Sequence, residues 1–309
     1  MNTYKHIPVL YHEVLTYLQP QPNGRYLDGT VGAGGHTAGI LEASAPTGRV
    51  LAFDKDPEAI RFAQAQLATF DDRVTFVNAS YAEMKQVAVQ HGFESFDGIL
   101  LDLGLSSRQL DNPERGFSFM KEGPLDMRFD TSKGETAADL INNRTEVELA
   151  TIFWEYGEEK RSRKLAKLIV ENRPIMTTTE LANLIADHSP KRGRKHPATQ
   201  IFQALRIAVN HELDDVRTGV MAAIELLKEN GRLAIISFHS LEDRFVKNVF
   251  RDLSKDKMPP PGYPTSPEDR PALVRLITRK AVQPSAVEIE QNSRSRSARL
   301  RVIEKIANS

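Results

Sequence analysis

A glycine-rich turn that begins with a carboxylate is the first feature of this sequence that could do chemistry. In the stretch LDGTVGAGGHTAGIL (27–41), four glycines at positions 29, 32, 34 and 35 lie between an apolar run typical of a strand and one typical of a helix. Glycines in such a turn let the backbone amides approach a ligand closely. Asp28 stands at the mouth of the turn, and Gly34, Gly35 and His36 close it. We expect these four residues to line a ligand site.

Three further polar residues follow predicted strands in the same half of the chain. Asp54 and Asp102 each end an apolar run, and Tyr81 comes just after a third one. The carboxyl ends of parallel strands meet at one edge of an open α/β sheet, where ligands bind. Asp54 lies 20 residues after Gly34 (54 − 34), which suits a carboxylate that accepts hydrogen bonds from ribose hydroxyls. The spacing therefore predicts a cofactor that contains adenosine.

The charge at the turn separates two cofactors of this kind. A dinucleotide requires G-x-G-x-x-G with its pyrophosphate at the helix N-terminus, and here Thr37 occupies the third glycine position. Asp28 would repel a pyrophosphate, whereas it could hold the ammonium group of a methionine moiety. S-adenosylmethionine carries an ammonium and a sulfonium and no phosphate, so the pattern favours it. An NAD-dependent oxidoreductase stays open as the alternative.

The elements that must position these residues alternate between strands and helices over the first hundred residues. This alternation predicts a doubly wound α/β fold. It stops near residue 107, and helical patterns continue to about residue 197. We therefore predict a Rossmann-like α/β core from 1–107 and 198–309 and an inserted all-helical domain from 108–197. The predicted mostly parallel sheet has seven strands, at 25–29, 49–54, 73–78, 96–104, 231–239 and near 273–278 and 298–305, the last two joined by a hairpin-length connection.

Local signals predict where some helices begin. Asp56 is typical of an N-cap, with Pro57 at the first helical position. Ser240 and Asp243 have the spacing of a capping box that would open the helix after the fifth strand. One long helical stretch, 198–231, is expected before that strand.

Composition limits the class of protein. The 309 residues are 40% hydrophobic and 27% charged, which is ordinary for a globular protein. The chain has no cysteine, which excludes disulfides and thiolate metal sites and fits a reducing compartment. The histidines are scattered, so we expect no metal site. The first residues do not resemble a secretory leader, and no run approaches the ~20 apolar residues of a membrane span, so we expect a cytoplasmic protein without membrane contact.

Charge distribution says more about partners than net charge does. The 41 basic and 41 acidic residues balance, which argues weakly against a nucleic-acid-binding protein. Basic clusters nevertheless stand at 160–167, 191–195 and 294–301. Together they indicate an electropositive surface that could contact RNA.

Eight blocks of the sequence resemble the bacterial small-subunit rRNA cytosine-N4 methyltransferase family, known as MraW or RsmH. They run in the family's order from residue 6 to residue 301. The blocks are HIPVLYHEVL, DGTVGAGGHT, DLGLSSRQLD, ERGFSF, GPLDMR, HPATQIFQALRIAVNHEL, SFHSLEDR and NSRSRSARLR. Arg108 and Gln200 stand where many members have proline and arginine, respectively. These two differences affect the expected local loop shape or RNA contacts and not the expected cofactor contacts.

This resemblance implies a class I methyltransferase that uses S-adenosylmethionine and carries an inserted helical domain. It also implies methylation of the exocyclic N4 of a cytidine in the decoding region of small-subunit (16S) rRNA, within assembled particles. Carried over by motif, the cofactor contacts are Gly34, Gly35, His36, Asp54, Tyr81, Asp102 and Gln109. Gln109 comes from the resemblance alone.

Candidates for the RNA and for the chemistry are less specific. We expect Arg294, Arg296 and Arg299 and the inserted domain to hold the RNA backbone. Asp102 could accept a proton from the amine, and the alternative acceptors are Ser237, His239 and Ser240; no catalytic residue is assigned. A non-enzymatic RNA-binding factor on a relic methyltransferase fold is a further alternative. The complete set of Asp28, Gly34, Asp54 and Asp102 argues against it.

Overall fold

The computed structural model of this chain describes residues 8–189, 196–258 and 270–307. The predicted basic cluster at 191–195 therefore lies outside the described residues. The chain divides into two compact units. The sheet unit combines the residues up to Gly104 with those from Asp215 onward, and the helical unit is Leu105–Asp214.

The strands form one seven-stranded sheet in the order β3-β2-β1-β4-β5-β7-β6. The pairs from β3 to β5 are parallel, and β7 is antiparallel to both β5 and β6, which confirms the predicted mostly parallel sheet. The chain leaves β1 toward β2 on one side and later returns to β4 on the other, so the topological switch point lies at the carboxyl ends of β1 and β4. The strands are β1 (Arg25–Asp28), β2 (Arg49–Asp54), β3 (Val74–Asn78), β4 (Phe96–Asp102), β5 (Leu227–Ser237), β6 (Val274–Leu276) and β7 (Arg299–Lys305).

Helices surround the sheet and make up the helical unit. The described α-helices are α1 (Tyr11–Leu18), α2 (Gly35–Ala43), α3 (Pro57–Gln66), α4 (Met84–Gln90), α5 (Ser107–Asp111), α6 (Ala137–Asn143), α7 (Glu146–Glu155), α8 (Ser162–Glu171), α9 (Thr178–Asp187), α10 (Thr199–Asn210), α11 (Glu212–Leu226), α12 (Ser240–Leu253) and α13 (Ala286–Gln291). Short 3₁₀ segments lie at Ala68–Arg73, Tyr81–Glu83, Pro113–Arg115 and Ser293–Ser297. Among the described residues, no helix combines the length and the apolar character that a membrane span requires.

The sheet has a hydrophobic core on each face. Successive residues of a strand point to opposite faces, so Tyr26 packs with α1, α2 and α3, whereas Leu27 packs with α4, α11 and α12. The runs of buried residues in β2 and β4 follow from this burial on both sides. This packing on both faces positions the strand ends at which the candidate ligand residues stand.

The helical unit has a core of its own. Leu149 and Phe153 of α7, Leu165 of α8 and Leu205 of α10 belong to it. Helix α10 packs on α7 and α6, so the helical unit extends to Asp214. The inserted domain predicted from the sequence ended at residue 197. An amphipathic helix buries its apolar face wherever a matching surface exists, and the sequence pattern alone does not show which core that is.

Three local expectations were wrong. Positive φ at His211 (53°) separates α10 from α11 within the predicted long helix, and the last residues of that stretch, 227–231, belong to β5. The connection from β6 to β7 is not hairpin-length: it spans 277–298 and contains α13. It is longer because the chain after β6 first pairs with β7 at Val282 and Leu300 before it turns into α13. The N-cap of α12 is His239 rather than Ser240.

Candidate functional site

The glycine turn after β1 depends on glycine at two positions for different reasons. Gly34 is the N-cap of α2 and has φ of 84°, a left-handed conformation that side chains rarely adopt. At Gly35 an added Cβ would lie 2.4 Å from Cγ of Pro8. Both positions therefore exclude larger residues, and the turn presents bare backbone at the amino end of α2.

Asp28 ends β1 as a fully buried carboxylate. Its Oδ1 accepts a hydrogen bond from the backbone N–H of Thr30 (3.0 Å), and its Oδ2 accepts one from the hydroxyl of Thr37 (2.6 Å). Burial nevertheless raises the pKa of Asp28 to about 6. Thr37, which replaces the third glycine of a dinucleotide turn, thus fixes the carboxylate at the mouth of the turn.

Asp54 ends β2 and braces the same turn. The backbone N–H of Gly32 donates to its Oδ2 (2.9 Å), and the backbone N–H of Asp56 donates to its Oδ1 (2.9 Å). Burial is the main cause that raises the pKa of Asp54 to about 6, with smaller contributions from Asp56 and Asp28. Each carboxylate oxygen has further lone pairs, so Asp54 can still accept hydrogen bonds from a ligand's hydroxyl groups.

Asp102 at the end of β4 faces His36 of α2. Nε2 of His36 lies 3.6 Å from Oδ2 of Asp102, and the backbone N–H of Asp102 donates to the hydroxyl of Thr30 (2.7 Å). Within the described residues, Oδ1 of Asp102 and both ring nitrogens of His36 lack a hydrogen-bond partner. Burial lowers the pKa of His36 to about 4, while burial, Asp28 and Glu242 raise the pKa of Asp102 well above its usual value.

Tyr81 follows β3 and is positioned by α11. Its ring lies against Gly219, where an added Cβ would be 2.4 Å from Cδ2 of the tyrosine. The preceding Ser80 caps the 3₁₀ turn, and its hydroxyl donates to Oδ2 of Asp215 (2.7 Å). Asp215 also forms an ion pair with Lys55. Sequence reasoning found Tyr81 but missed this support, because only the S-x-x-E spacing of the cap is visible locally.

The three strand-end carboxylates form a coupled negative site. Asp28 contributes to the raised pKa of both Asp54 and Asp102. In the part of the chain that the structure describes, no lysine or arginine forms an ion pair with any of the three. A cation near them would relieve their mutual repulsion, whereas a phosphate would increase it.

Gln109 belongs to the helical unit, whereas the other predicted cofactor residues belong to the sheet unit. It is the third residue of α5 and completes a capping box: Ser106 donates its backbone N–H to Oε1 of Gln109 (3.0 Å), and Gln109 donates its N–H to the Ser106 hydroxyl (3.2 Å). Its predicted contact with a cofactor stays a prediction.

His239 opens α12 and is engaged by Glu242. Its Nδ1 accepts from the backbone N–H of Glu242 (3.4 Å), and its Nε2 lies 3.0 Å from Oε1 of the same residue. Asp243, the expected partner of a cap at Ser240, is instead held by Arg299 and Arg301 of β7. This competition explains why the capping box begins one residue earlier than the sequence predicts.

The predicted RNA-contacting arginines differ in their surroundings. Arg294 and Arg296 lie exposed on the 3₁₀ segment before β7. Arg299 is half-exposed, and its Nη1 donates to Oδ2 of Asp243 (3.0 Å). Arg299 therefore ties β7 to α12 whatever else it contacts, while the RNA contacts of all three stay predictions.

Comparison with known proteins places the chain in a family. The sequence model of the MraW methylase family matches residues 3–306. The ribosomal RNA small subunit methyltransferase H of Thermomicrobium roseum is 50% identical over 307 residues, which cover 98% of this chain and 94% of that protein. Its counterpart in Magnetococcus marinus is 48% identical over 312 residues, with 99% and 100% covered. A solved structure of a putative rRNA methylase from Clostridium thermocellum aligns with 96% of this chain and 95% of its own, at 14% identity and a TM-score of 0.44. The resemblance seen in the sequence is confirmed, and the chain belongs to the MraW methylase family.

Proposed function

We propose that this chain methylates the exocyclic N4 of a cytidine in the decoding region of small-subunit rRNA. Methylase activity follows from the family, and the methyl donor is S-adenosylmethionine. The relatives named above support small-subunit rRNA as the substrate. The base, the atom and the region rest on the resemblance of the sequence blocks. The observation that carries the proposal is the glycine turn with its three carboxylates, none of which forms an ion pair with a lysine or arginine among the described residues.

The residues present fit S-adenosylmethionine better than a dinucleotide. Asp28 and Asp102 lie where an ammonium or sulfonium would relieve their repulsion, and Asp54 can accept hydrogen bonds from ribose hydroxyls. Tyr81, packed on Gly219, offers an aromatic ring for the adenine. A pyrophosphate would instead face the same buried carboxylates. This contrast disfavours the oxidoreductase alternative.

The cytosine amine is a poor nucleophile, because its lone pair is delocalised into the ring. Bound S-adenosylmethionine supplies an electrophilic methyl group, so the protein must align the amine and accept one of its protons. Alignment of reacting groups can contribute roughly 7–11 kcal/mol in the best intramolecular cases. Oδ1 of Asp102, which makes no hydrogen bond within the described residues, is the acceptor that we favour. His239 is a weaker candidate, because its Nδ1 already accepts from the backbone N–H of Glu242 and its Nε2 lies 3.0 Å from a carboxylate oxygen of the same residue.

The target base must leave its stack to reach this site, as in other enzymes that modify bases. We propose that the helical unit recognises the substrate and that its basic cluster at 160–167, with Arg294 and Arg296, holds the RNA backbone. The substrate in this proposal is the assembled small subunit in the cytoplasm. Binding should therefore weaken with rising salt, because each phosphate contact releases counterions.

Methyl transfer from labelled S-adenosylmethionine to unmodified small subunits, followed by nucleoside mass spectrometry, tests the proposal. Label in N4-methylcytidine would support the donor, the substrate and the atom together. Cofactor binding without transfer to subunits, naked rRNA or assembly intermediates would favour the relic-fold alternative and contradict the proposal.

The RNA contacts need a separate test. Replacing Arg294 and Arg296 by alanine should weaken RNA binding and reduce its salt dependence, while cofactor affinity stays unchanged. Arg49→Ala is the matched control, because this exposed arginine lies at the amino end of β2, away from the ligand edge of the sheet. An unchanged salt dependence would remove Arg294 and Arg296 from the interface.

A further inference from the structure

The imidazole of His36 is buried and makes no well-formed hydrogen bond among the described residues. The residue is 6% exposed, and the backbone of Val9 raises its pKa against the larger effect of burial without meeting the geometry of a hydrogen bond. Buried polar groups are normally paired, so an unpaired one indicates a function or a missing ligand. Among the described residues at the carboxyl edge, Oδ1 of Asp102 and Nε2 of His239 are in the same condition, and of the two residues only Asp102 faces His36, at 3.6 Å.

We propose that His36 is a positioning residue for Asp102: its Nε2–H points to Oδ2 of Asp102 and keeps Oδ1 available to accept the proton that leaves the cytosine N4. The proposal rests on the proposed function, and it assigns the imidazole a role that is separate from the backbone of the glycine turn. Nε2 lies 3.6 Å from Oδ2, so a small movement when the site fills would complete the hydrogen bond.

Both partners are held in place from behind. Tyr11 of α1 stacks on the His36 ring, with centroids 6.2 Å apart and an interplanar angle of 23°. The backbone N–H of Asp102 donates to the hydroxyl of Thr30, which fixes the end of β4 beside β1. The carboxylate and the ring therefore face each other from elements that have little freedom to separate.

The protonation states agree with this assignment. Burial keeps His36 neutral at pH 7, and a neutral imidazole has one N–H donor and one acceptor nitrogen. The charged groups around Asp102 are Asp28 from β1 and Glu242 from α12, and both disfavour its ionised form. A donor from His36 opposes them and favours the carboxylate, which is the form that can accept a proton.

The proton balance of the step is simple. The bond between N4 and the methyl carbon forms as the bond from that carbon to sulfur breaks, which leaves a neutral thioether. One N4–H proton moves to Oδ1 of Asp102 and from there to solvent. His36 neither gains nor loses a proton in this scheme, so its contribution is orientation.

Three substitutions at one position test the role. His36→Gln places an amide donor near the Nε2 position, His36→Asn places one near Nδ1, and His36→Leu has none. We expect kcat to fall by about 10- to 100-fold in the leucine variant, the equivalent of one hydrogen bond to a charged group. The glutamine variant should recover most of the rate and the asparagine variant little. The Kd for S-adenosylmethionine should change less than kcat does in the leucine variant.

The pH profile of kcat gives a readout that a merely structural role would not move. Loss of the donor raises the pKa of Asp102 in the complex, so the acid limb should move to higher pH by about one pH unit in His36→Leu and return in His36→Gln. Equal rates in the leucine and glutamine variants, or an unmoved acid limb, would overturn the proposal.

A spectroscopic test does not depend on activity. Long-range ¹H–¹⁵N correlation with ¹⁵N-labelled histidine reports which ring nitrogen carries the proton, and comparison with His36→Gln assigns the signal. We expect a neutral ring protonated at Nε2, with the Nε2 shift altered in Asp102→Asn. A ring protonated at Nδ1 would refute the proposal even if the enzyme methylates cytidine. Absence of cytidine methylation with the Nε2 tautomer present would instead contradict the proposed function.

Discussion

Replacing Asp28 by asparagine should stabilise the cofactor-free protein and weaken its binding of S-adenosylmethionine. Asp28 is 1% exposed, and the backbone of Thr30 and the hydroxyl of Thr37 hydrogen-bond its carboxylate. An asparagine keeps the shape and the bond from Thr30, and its amide can donate to the Thr37 hydroxyl in place of the bond that it loses. The substitution therefore removes the charge with little change in packing.

The size of the effect follows from the pKa of Asp28, which burial raises from 3.8 to about 6. Below pH 3.8 the carboxyl of Asp28 is protonated in both the folded and the unfolded protein, so it does not lower the free energy of unfolding. Between pH 3.8 and pH 6 the folded protein binds this proton more tightly than the unfolded chain does, so the ionisation of Asp28 lowers the free energy of unfolding as pH rises. Above pH 6 the full cost applies, which is about 3 kcal/mol at about 1.4 kcal/mol per pH unit, and at pH 5 it is about half of that.

Unfolding of the cofactor-free protein at pH 5 and pH 7.5 measures this free-energy cost. If more than one unfolding transition is seen, the relevant one is the transition that added S-adenosylmethionine shifts. Asp28→Asn should be more stable than the unsubstituted protein by up to about 3 kcal/mol at pH 7.5 and by about half as much at pH 5. Calorimetric titration should show cofactor binding weakened by about 10- to 100-fold, because a hydrogen bond to a charged group is lost.

The matched control is Asp72→Asn, a 76% exposed carboxylate paired with Arg49, which should show no such gain. The reasoning is refuted if Asp28→Asn is less stable than the unsubstituted protein at pH 7.5. It is also refuted if the difference between the two proteins does not change with pH, or if cofactor affinity survives the substitution.

Two further predictions concern the supports of the site. Gly219→Ala places a Cβ 2.4 Å from Tyr81, so the ring must move. Calorimetry should show weaker cofactor binding, and chemical unfolding should show that the free energy of unfolding falls by about 1–3 kcal/mol. Asp243→Ala leaves Arg301 without its buried partner and should cost about 3–5 kcal/mol at pH 7 by chemical unfolding. Burial raises the pKa of Asp243, but Arg301 and Arg299 outweigh it and hold the pKa below 3.8, so this stability is present above pH 3.8 and is lost as pH falls further. Acid unfolding should accordingly begin at a higher pH in Asp243→Ala, and an unchanged acid profile would contradict the assignment.

The sheet was predictable from the sequence, because strands buried on both faces leave continuous apolar runs. β1, β2 and β4 end at Asp28, Asp54 and Asp102, so the residues that gather at the carboxyl edge could be selected before the fold was known. The start of α3, with Asp56 as N-cap and Pro57 at the first position, is confirmed as well. These signals are local, and each has a physical cause within a few residues.

The expectations that failed depend on partners that are distant in the chain. Asp243 has the right spacing for a capping box, but in the fold its carboxylate is bound by Arg301, which lies 58 residues later. Asp215 supports Ser80 from 135 residues away, and no local pattern marks that pair. Local spacing shows what a residue can do, whereas competition among distant partners decides what it does.

The three carboxylates are best understood as one charge-coupled unit with Asp28 at its centre. β1 lies between β2 and β4, and Asp28 accordingly raises the pKa of both Asp54 and Asp102, so a cation beside Asp28 lowers the pKa of all three. Cofactor binding and ionisation are then linked: binding near pH 6 must release protons, and the ionised Asp102 that a proton acceptor requires is favoured only once the cation is in place. The repulsion that destabilises the empty site is therefore the same interaction that prepares Asp102 in the filled one. It follows that the effects of replacing Asp28 and Asp102 together should be smaller than the sum of the separate effects on cofactor binding.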